Sequence, residues 1–284
     1  MFNSWIFWVV LYLIFAVIFA QTFKKANRKM KNAGALTILL EFFTALFAIL
    51  FIPLFKFKIS HNLSTYLILV IVIIVYAFTD RFNTEARYGL ETSAFSMLKQ
   101  LSSVFLVLFS FIILKEKVVA TKIIGAGLIV LANVFLAFDK NGKIKFNRYF
   151  FICIVANILF AIGMLINVNI SHEFNLGIYT IITVLLPSIL IFIFGRHSIK
   201  ELKDEFNLYD KKKFLIAAFC WCVMLVSSVR AYQLGSISVV APLLTLTAIL
   251  DSTYEFIFNK DKSAFIKKII IGIFILIGVI LIKI

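Results

Sequence analysis

LETSAFSMLKQLSSVFLVLFSFIILKEK occupies Leu90–Lys117, and LGSISVVAPLLTLTAILDSTYEFIFNKDK occupies Leu234–Lys262. Each is an apolar run long enough to cross a bilayer, and each closes on a charged triplet: Lys115-Glu116-Lys117, then Lys260-Asp261-Lys262. Aligning the triplets sets an offset of 145 residues. A basic residue, isoleucines and a glycine follow each block, KIIG from Lys122 and KIIIG from Lys268. Repetition at a fixed offset decides the architecture before any single segment does.

The rest of the chain fits that frame. It has 284 residues, of which 62% are hydrophobic and 15% charged. A soluble domain carries about a quarter charged residues. The apolar residues gather into runs of roughly 18–22 separated by short polar links, the pattern of transmembrane helices. Ten spans are expected, at about 4–23, 34–54, 64–80, 92–114, 119–138, 149–169, 177–195, 213–233, 236–258 and 265–282. The third can run on toward Tyr88 through DRFNTEARYG, a segment too polar for lipid, whose charged side should face protein or water. The expected fold is all-α integral membrane: ten transmembrane helices as two inverted five-helix repeats, residues 1–139 and 148–284. Because five is odd, the second repeat enters the membrane the other way up. Transporters commonly use that arrangement, with the site between the halves near the midplane.

Several classes lose support. The net charge of +15 lies in the links, where lysines flank a bilayer, so nucleic acid is not the expected partner. The three cysteines, Cys153, Cys220 and Cys222, sit inside apolar runs with no disulfide or zinc spacing. The histidines His61, His172 and His197 fall in links, so neither a metal site nor a cofactor is expected, and no acid/base constellation marks an enzyme. The first run, WIFWVVLYLIFAVIFA, lacks a basic leader and a cleavage site and reads as a retained helix.

Polar residues on the two paired helices mark candidate contacts. Ser93, Ser96, Gln100, Ser103 and Ser110 follow a three-four spacing, which puts them on one helical face. Ser238, Ala241, Thr245, Ala248, Ser252 and Glu255 do the same in the second half. Such stripes can pack helices closely or line a polar cavity. Charges within the spans are sharper: Glu41, Lys99, Arg230 and Asp251. Each costs on the order of 2.5–3.5 kcal/mol at a helix centre, so it should face the protein interior, though the two bases can also snorkel. Asn157 and Asn167 can hydrogen-bond a ligand or a neighbouring helix, and Trp5, Trp8, Tyr12, Trp221 and Tyr232 can anchor at the interface or stack on cargo. The expected substrate contacts are Lys99, Gln100, Ser96, Ser103, Glu41, Asn157, Arg230, Tyr232, Thr245 and Asp251.

Ala231–Leu244 (AYQLGSISVVAPLL) resembles the eighth-to-ninth helix junction of EamA-type members of the drug/metabolite transporter superfamily, and Arg87–Leu98 (RYGLETSAFSML) resembles the matching first-half junction. The triplet and glycine helix, Lys115–Lys117 and Lys122–Gly125, are similar to that family's acidic loop and the helix after it. Departures exist: Ser103 and Ala248 stand where members often have proline, Met97 stands opposite Pro242, and Glu41 replaces a basic residue. The resemblance implies transport and leaves the cargo open. The leading expectation from the residues is a secondary transporter or exporter of small polar metabolites such as amino acids in the cell (inner or plasma) membrane, with Glu41 or Asp251 to hold an amine or carry a coupling proton. An antiporter of phosphorylated metabolites or nucleotide sugars is the alternative, and a non-transporting polytopic scaffold is the alternative of another class. The positive-inside rule places the basic links after spans one, five, seven and nine in the cytoplasm, whereas the resemblance implies cytoplasmic termini.

Overall fold

The computed structural model describes residues 4–90, 94–95, 98–99, 101–113, 120–137, 147–235, 240, 243–244, 246–259, 269–270, 272–274, 276–278 and 280–281. Among these the regular structure is entirely helical. The elements are α1 (Trp5–Asn27), α2 (Ala33–Ala48) running into a 3-10 turn (Ile49–Leu54), α3 (Leu63–Gly89), α4 (Leu101–Ile113), α5 (Ala120–Ala137), α6 (Arg148–Ser171), α7 (Leu176–Phe194), α8 (Ile199–Phe206), α9 (Lys211–Leu234) and α10 (Thr247–Asn259).

Among the described residues, six stretches are long and apolar enough to cross a membrane: Trp5–Lys24, Ala33–Leu54, Leu63–Gly89, Arg148–Ser171, Leu176–Phe194 and Lys211–Leu234. At about 1.5 Å per residue each reaches or nearly reaches the ~30 Å of a hydrocarbon core. Their outer faces agree. Ile6, Val10, Ile14 and Ile18 form an exposed stripe along α1, and Leu63, Leu67, Val70, Ile74 and Phe78 do so along α3. Large contiguous apolar faces of this kind are rare on water-soluble monomers. The chain is a multi-pass membrane protein.

Apart from α1, whose Ser4 makes no capping bond, the long membrane-type helices begin where short polar side chains cap them. Asn32, Asn62, Asn147, Asn175 and Asp210 each accept a hydrogen bond from a first-turn N–H of α2, α3, α6, α7 and α9. Each cap satisfies donors that lipid could not. The long spans expected from sequence lie within a few residues of these boundaries, and α3 does continue through DRFNTEARYG to Gly89. One reading changes. The 196–212 link contains α8, an amphipathic helix opened by a Ser198/Glu201 capping box. Of the two expected stripes, Ser93, Ser96, Gln100, Ser238, Ala241 and Thr245 lie outside the described residues, as do the side chains of Ser103, Ser110, Ala248, Ser252 and Glu255.

α1 packs along α9 and α3 along α6, with α2 and α7 between the two pairs. The larger core cluster joins Trp8, Val72, Ala161, Met164, Cys222 and Val226. A second, toward the basic links, gathers Phe19, Phe23, Leu36, Tyr209 and Phe214. The links also tie the ends together. Glu205 accepts from the backbone N–H of Lys31 (3.2 Å) and Asn32 (3.0 Å) and from the Tyr209 hydroxyl. At the opposite end the Asn175 amide donates to the carbonyls of Ile52 (3.1 Å), Phe55 (2.9 Å) and Lys56 (3.2 Å).

Candidate functional site

Helix α3 builds the centre of the site. Tyr76, Asp80, Asn83, Thr84 and Arg87 recur at three-four spacing, so they share one face, and all of them line a cavity of about 190 Å³. The other polar residues of the segment turn outward. Arg81 pairs with Glu85 at 3.0 Å, and Glu85 also takes Arg148 at 2.8 Å. This division explains how so polar a stretch stays helical in a membrane protein.

The remaining walls come from both halves of the chain. Thr37, Leu40 and Glu41 face in from α2, Tyr12 and Phe19 from α1, and Asn167 from α6. Thr180, Thr183 and Val184 of α7, Leu225, Ser228 and Tyr232 of α9, and Asp251 of α10 complete the opposite side. A smaller cavity of about 40 Å³ shares Ala20, Phe23, Arg87 and Phe95 with the first and is bordered by Lys24 and Arg28 of the first basic link.

Charges of both signs meet here. The Arg87 guanidinium lies 4.1 Å from the centre of the Phe95 ring and 5.2 Å from that of Phe19. Cation–π contacts of this kind hold a cation where little water reaches. Asp251, 2% exposed, lies within electrostatic reach of Arg87 and Tyr12. The Lys99 ammonium sits 4.2 Å from the Phe160 ring centre and 3.5 Å from Asn83 Oδ1, a weak hydrogen bond at best. Glu41 is buried against Asp80.

Of the residues expected from sequence, Glu41, Lys99, Tyr232 and Asp251 are brought together around this cavity. Asn157 and Arg230 lie elsewhere. Asn157 is fully buried and donates to the Leu98 carbonyl at 2.8 Å, fixing α6 to the segment before Lys99. Arg230 bonds Gln233 at 3.0 Å and stands 5.7 Å over the Phe55 ring. Ser96, Gln100 and Thr245 fall outside the described residues, as does the Ser103 side chain. Sequence reasoning did not name Asp80, Asn83, Thr84, Arg87, Thr37 or Tyr76. The signal for the α3 members was present in DRFNTEARYG, whose inward residues are separated from its outward ones by helical spacing alone.

Among the described residues no group of three or more histidine, cysteine or carboxylate side chains could hold a metal ion.

No family model matches the chain, and no curated protein does. Among solved structures, one described as "Crystal structure of protein" shares 13% identity with a TM-score of 0.63, over 96% of this chain and 95% of that one. At that identity the likeness is one of fold: this membrane protein and that chain are built alike from end to end.

Proposed function

We propose that the protein is a secondary transporter of small polar metabolites, amino acids or related compounds, of the drug/metabolite transporter type. It works by alternating access between two inverted five-helix repeats in the cell membrane. The observation that carries this reading is the central cavity: helices from both halves enclose it, and it holds Glu41, Asp80 and Asp251 together with Arg87 and Lys99. Ionisable residues at membrane depth are costly and usually mark a transport pathway. A volume of about 190 Å³ is below the ~300–1,000 Å³ of sites for drug-sized ligands, which favours a small cargo. An ammonium group fits the carboxylates and a carboxylate fits the bases, so a zwitterion uses both.

The packing supports two repeats. Exchanging the halves maps α1 against α9 onto α6 against α3, and α2 against α9 onto α7 against α3. The helices α2 and α7 also open with the same lead, Asn32-x-Gly34-x-x-Thr37 and Asn175-x-Gly177-x-x-Thr180, 143 residues apart. A phosphorylated cargo fits less well, because the acids in the cavity outnumber the bases.

A thermal-shift screen of the purified protein against amino acids, nucleotides, sugar phosphates and cationic drugs tests the cargo class, since a ligand bound only by the folded state raises its stability. Uptake into liposomes then tests transport. Stabilisation by amino acids together with flux supports the reading. Ligand binding with no flux in either direction returns the protein to the scaffold class.

A further inference from the structure

Glu41 is 1% exposed and lines the cavity, and neither of its carboxyl oxygens has an N–H or O–H donor among the described residues. What faces it is the carboxyl group of Asp80, in side-chain contact. One turn away, Thr37 Oγ1 donates to Thr84 Oγ1 at 2.8 Å. Thr37 and Glu41 are four residues apart on α2, and Asp80 and Thr84 are four apart on α3. The two antiparallel helices therefore meet in two rungs, hydroxyl on hydroxyl and carboxyl on carboxyl. The first rung sets the spacing of the second.

Two ionised carboxylates in contact, away from water, repel one another. A proton between them converts the repulsion into a strong O–H···O bond, the arrangement of paired acids in known active sites. That proton is the donor Glu41 otherwise lacks. A metal ion is served less well here, because the neighbouring hydroxyls are already engaged: Thr84 Oγ1 donates to the Asp80 carbonyl at 2.9 Å, and Thr37 Oγ1 is within 2.8 Å of the Ala33 carbonyl. Lys99 and Tyr76 lie within electrostatic reach of Asp80. Across the cavity, α7 presents Thr180, Thr183 and Val184, and α9 presents Leu225 and Tyr232, of which the Tyr232 phenol alone is ionisable; Tyr12, Arg87 and Asp251 are the other titratable groups of the lining.

We propose that Glu41 and Asp80 together bind one exchangeable proton, and that loading and releasing it is the coupling step of transport. Loading forms one carboxyl O–H bond and lowers the pair from two negative charges to one. Release breaks that bond and passes the proton to water. The second half of this proposal rests on the transporter reading, and the first half stands without it.

Infrared difference spectra of the purified full chain between acid and alkaline buffer test the site. The expected result is one protonated-carboxyl band component that Glu41→Gln and Asp80→Asn each remove to the same extent and that Glu173→Gln leaves in place. Independent components for the two residues, or none, would overturn a shared proton. Size-exclusion chromatography reports which variants fold; where only one folds, a protonated-carboxyl component that survives in it still overturns the shared proton.

Proteoliposomes with a trapped pH dye and a radiolabelled mixture of the amino acids test coupling. An imposed pH gradient should change the initial uptake rate at least tenfold, with proton movement alongside. Equal uptake with and without the gradient, and no dye response, would overturn coupling while leaving transport standing. If no amino acid moves at all, the transporter reading falls together with coupling, and the infrared result alone decides the proton site.

Discussion

The helices α2 and α7 are alike where they begin and unlike two turns later. Asn32 and Asn175 cap them, Gly34 and Gly177 allow a close approach, and Thr37 and Thr180 face the cavity. Each first turn packs against the chain leaving the other helix: Gly34 meets His197 beyond α7, and Gly177 meets Phe51 and Ile52 beyond α2. At the next inward position α2 carries Glu41 and α7 carries Val184, 143 residues later. The shared part is architecture, needed wherever two helices cross with their ends tied. The part that differs is where one half became chemically special.

The largest expected effect breaks that difference directly. Glu41→Val gives α2 the side-chain type of α7. Cargo flux in liposomes should fall at least tenfold, about 1.4 kcal/mol or more of lost interaction. Thermal stability without cargo should change by no more than about 1–2 kcal/mol, because removing a buried acid offsets the contact that Asp80 loses. Should the variant keep more than half its flux, the contrast between Glu41 and Val184 has no functional meaning.

Next come the glycines. A Cβ on residue 177 would lie 2.6 Å from the Ile52 nitrogen and 2.9 Å from its Cα, so backbone must move. Gly177→Ala should cost about 1–3 kcal/mol in denaturant unfolding. A Cβ on residue 34 would come 2.2 Å from His197 Nε2, closer still, but an imidazole can rotate away. Gly34→Ala should therefore cost less, and the double variant with His197→Ala should recover most of it. Equal costs at the two glycines would mean that both ends are equally rigid.

The caps differ by their reach. Asn32 accepts from Gly34 and Ala35 at 2.9 and 3.2 Å and otherwise only nears His197. Asn175 caps Ile178 and also binds three carbonyls of the segment after α2. Removing a cap costs about 1 kcal/mol, and stranding the part-buried carbonyls adds up to about 1 kcal/mol more. Asn175→Ala should lower the unfolding midpoint by more than Asn32→Ala does. The reverse order would place the tighter end at the basic links.

Much of this was legible in the sequence, and the reasons divide cleanly. Apolar run length carried the six spans, because lipid imposes one period on every crossing helix. Glu41 and Asp251 were visible as short acids in such runs. The polar tail of α3 was visible as a segment, but Asp80 and Arg87 could not be told from Arg81 and Glu85 without knowing which face α6 covers. Arg230 carried the same signal as Lys99, yet it lies against Phe55, because an apolar run shows depth and not direction. The Asn-x-Gly lead of α2 and α7 went unread, since three residue types at spacing are common until two partners are seen to fill the same role.

The smallest effect concerns the carboxylates that tie the ends. At the α2 entrance Glu205 takes backbone N–H groups of Lys31 and Asn32. Beside the α7 entrance Glu173 takes the hydroxyls of Ser60 and, at 2.8 Å, Thr65. The Ser60 bond, then the Thr65 bond, hold the Glu173 carboxyl below the usual carboxylate range, with Lys58 adding to them. A carboxyl whose folded value is depressed stabilises fully above its unfolded value, about 4.3, and loses that contribution as pH falls through the folded value. The gap between wild-type and Glu173→Gln unfolding midpoints should be small and flat from pH 8 to about 5, then shrink below about 4.3. A gap that widens on acidification would mean the hydroxyls bind the protonated form, and that this end is held by the Asn175 carbonyl contacts alone.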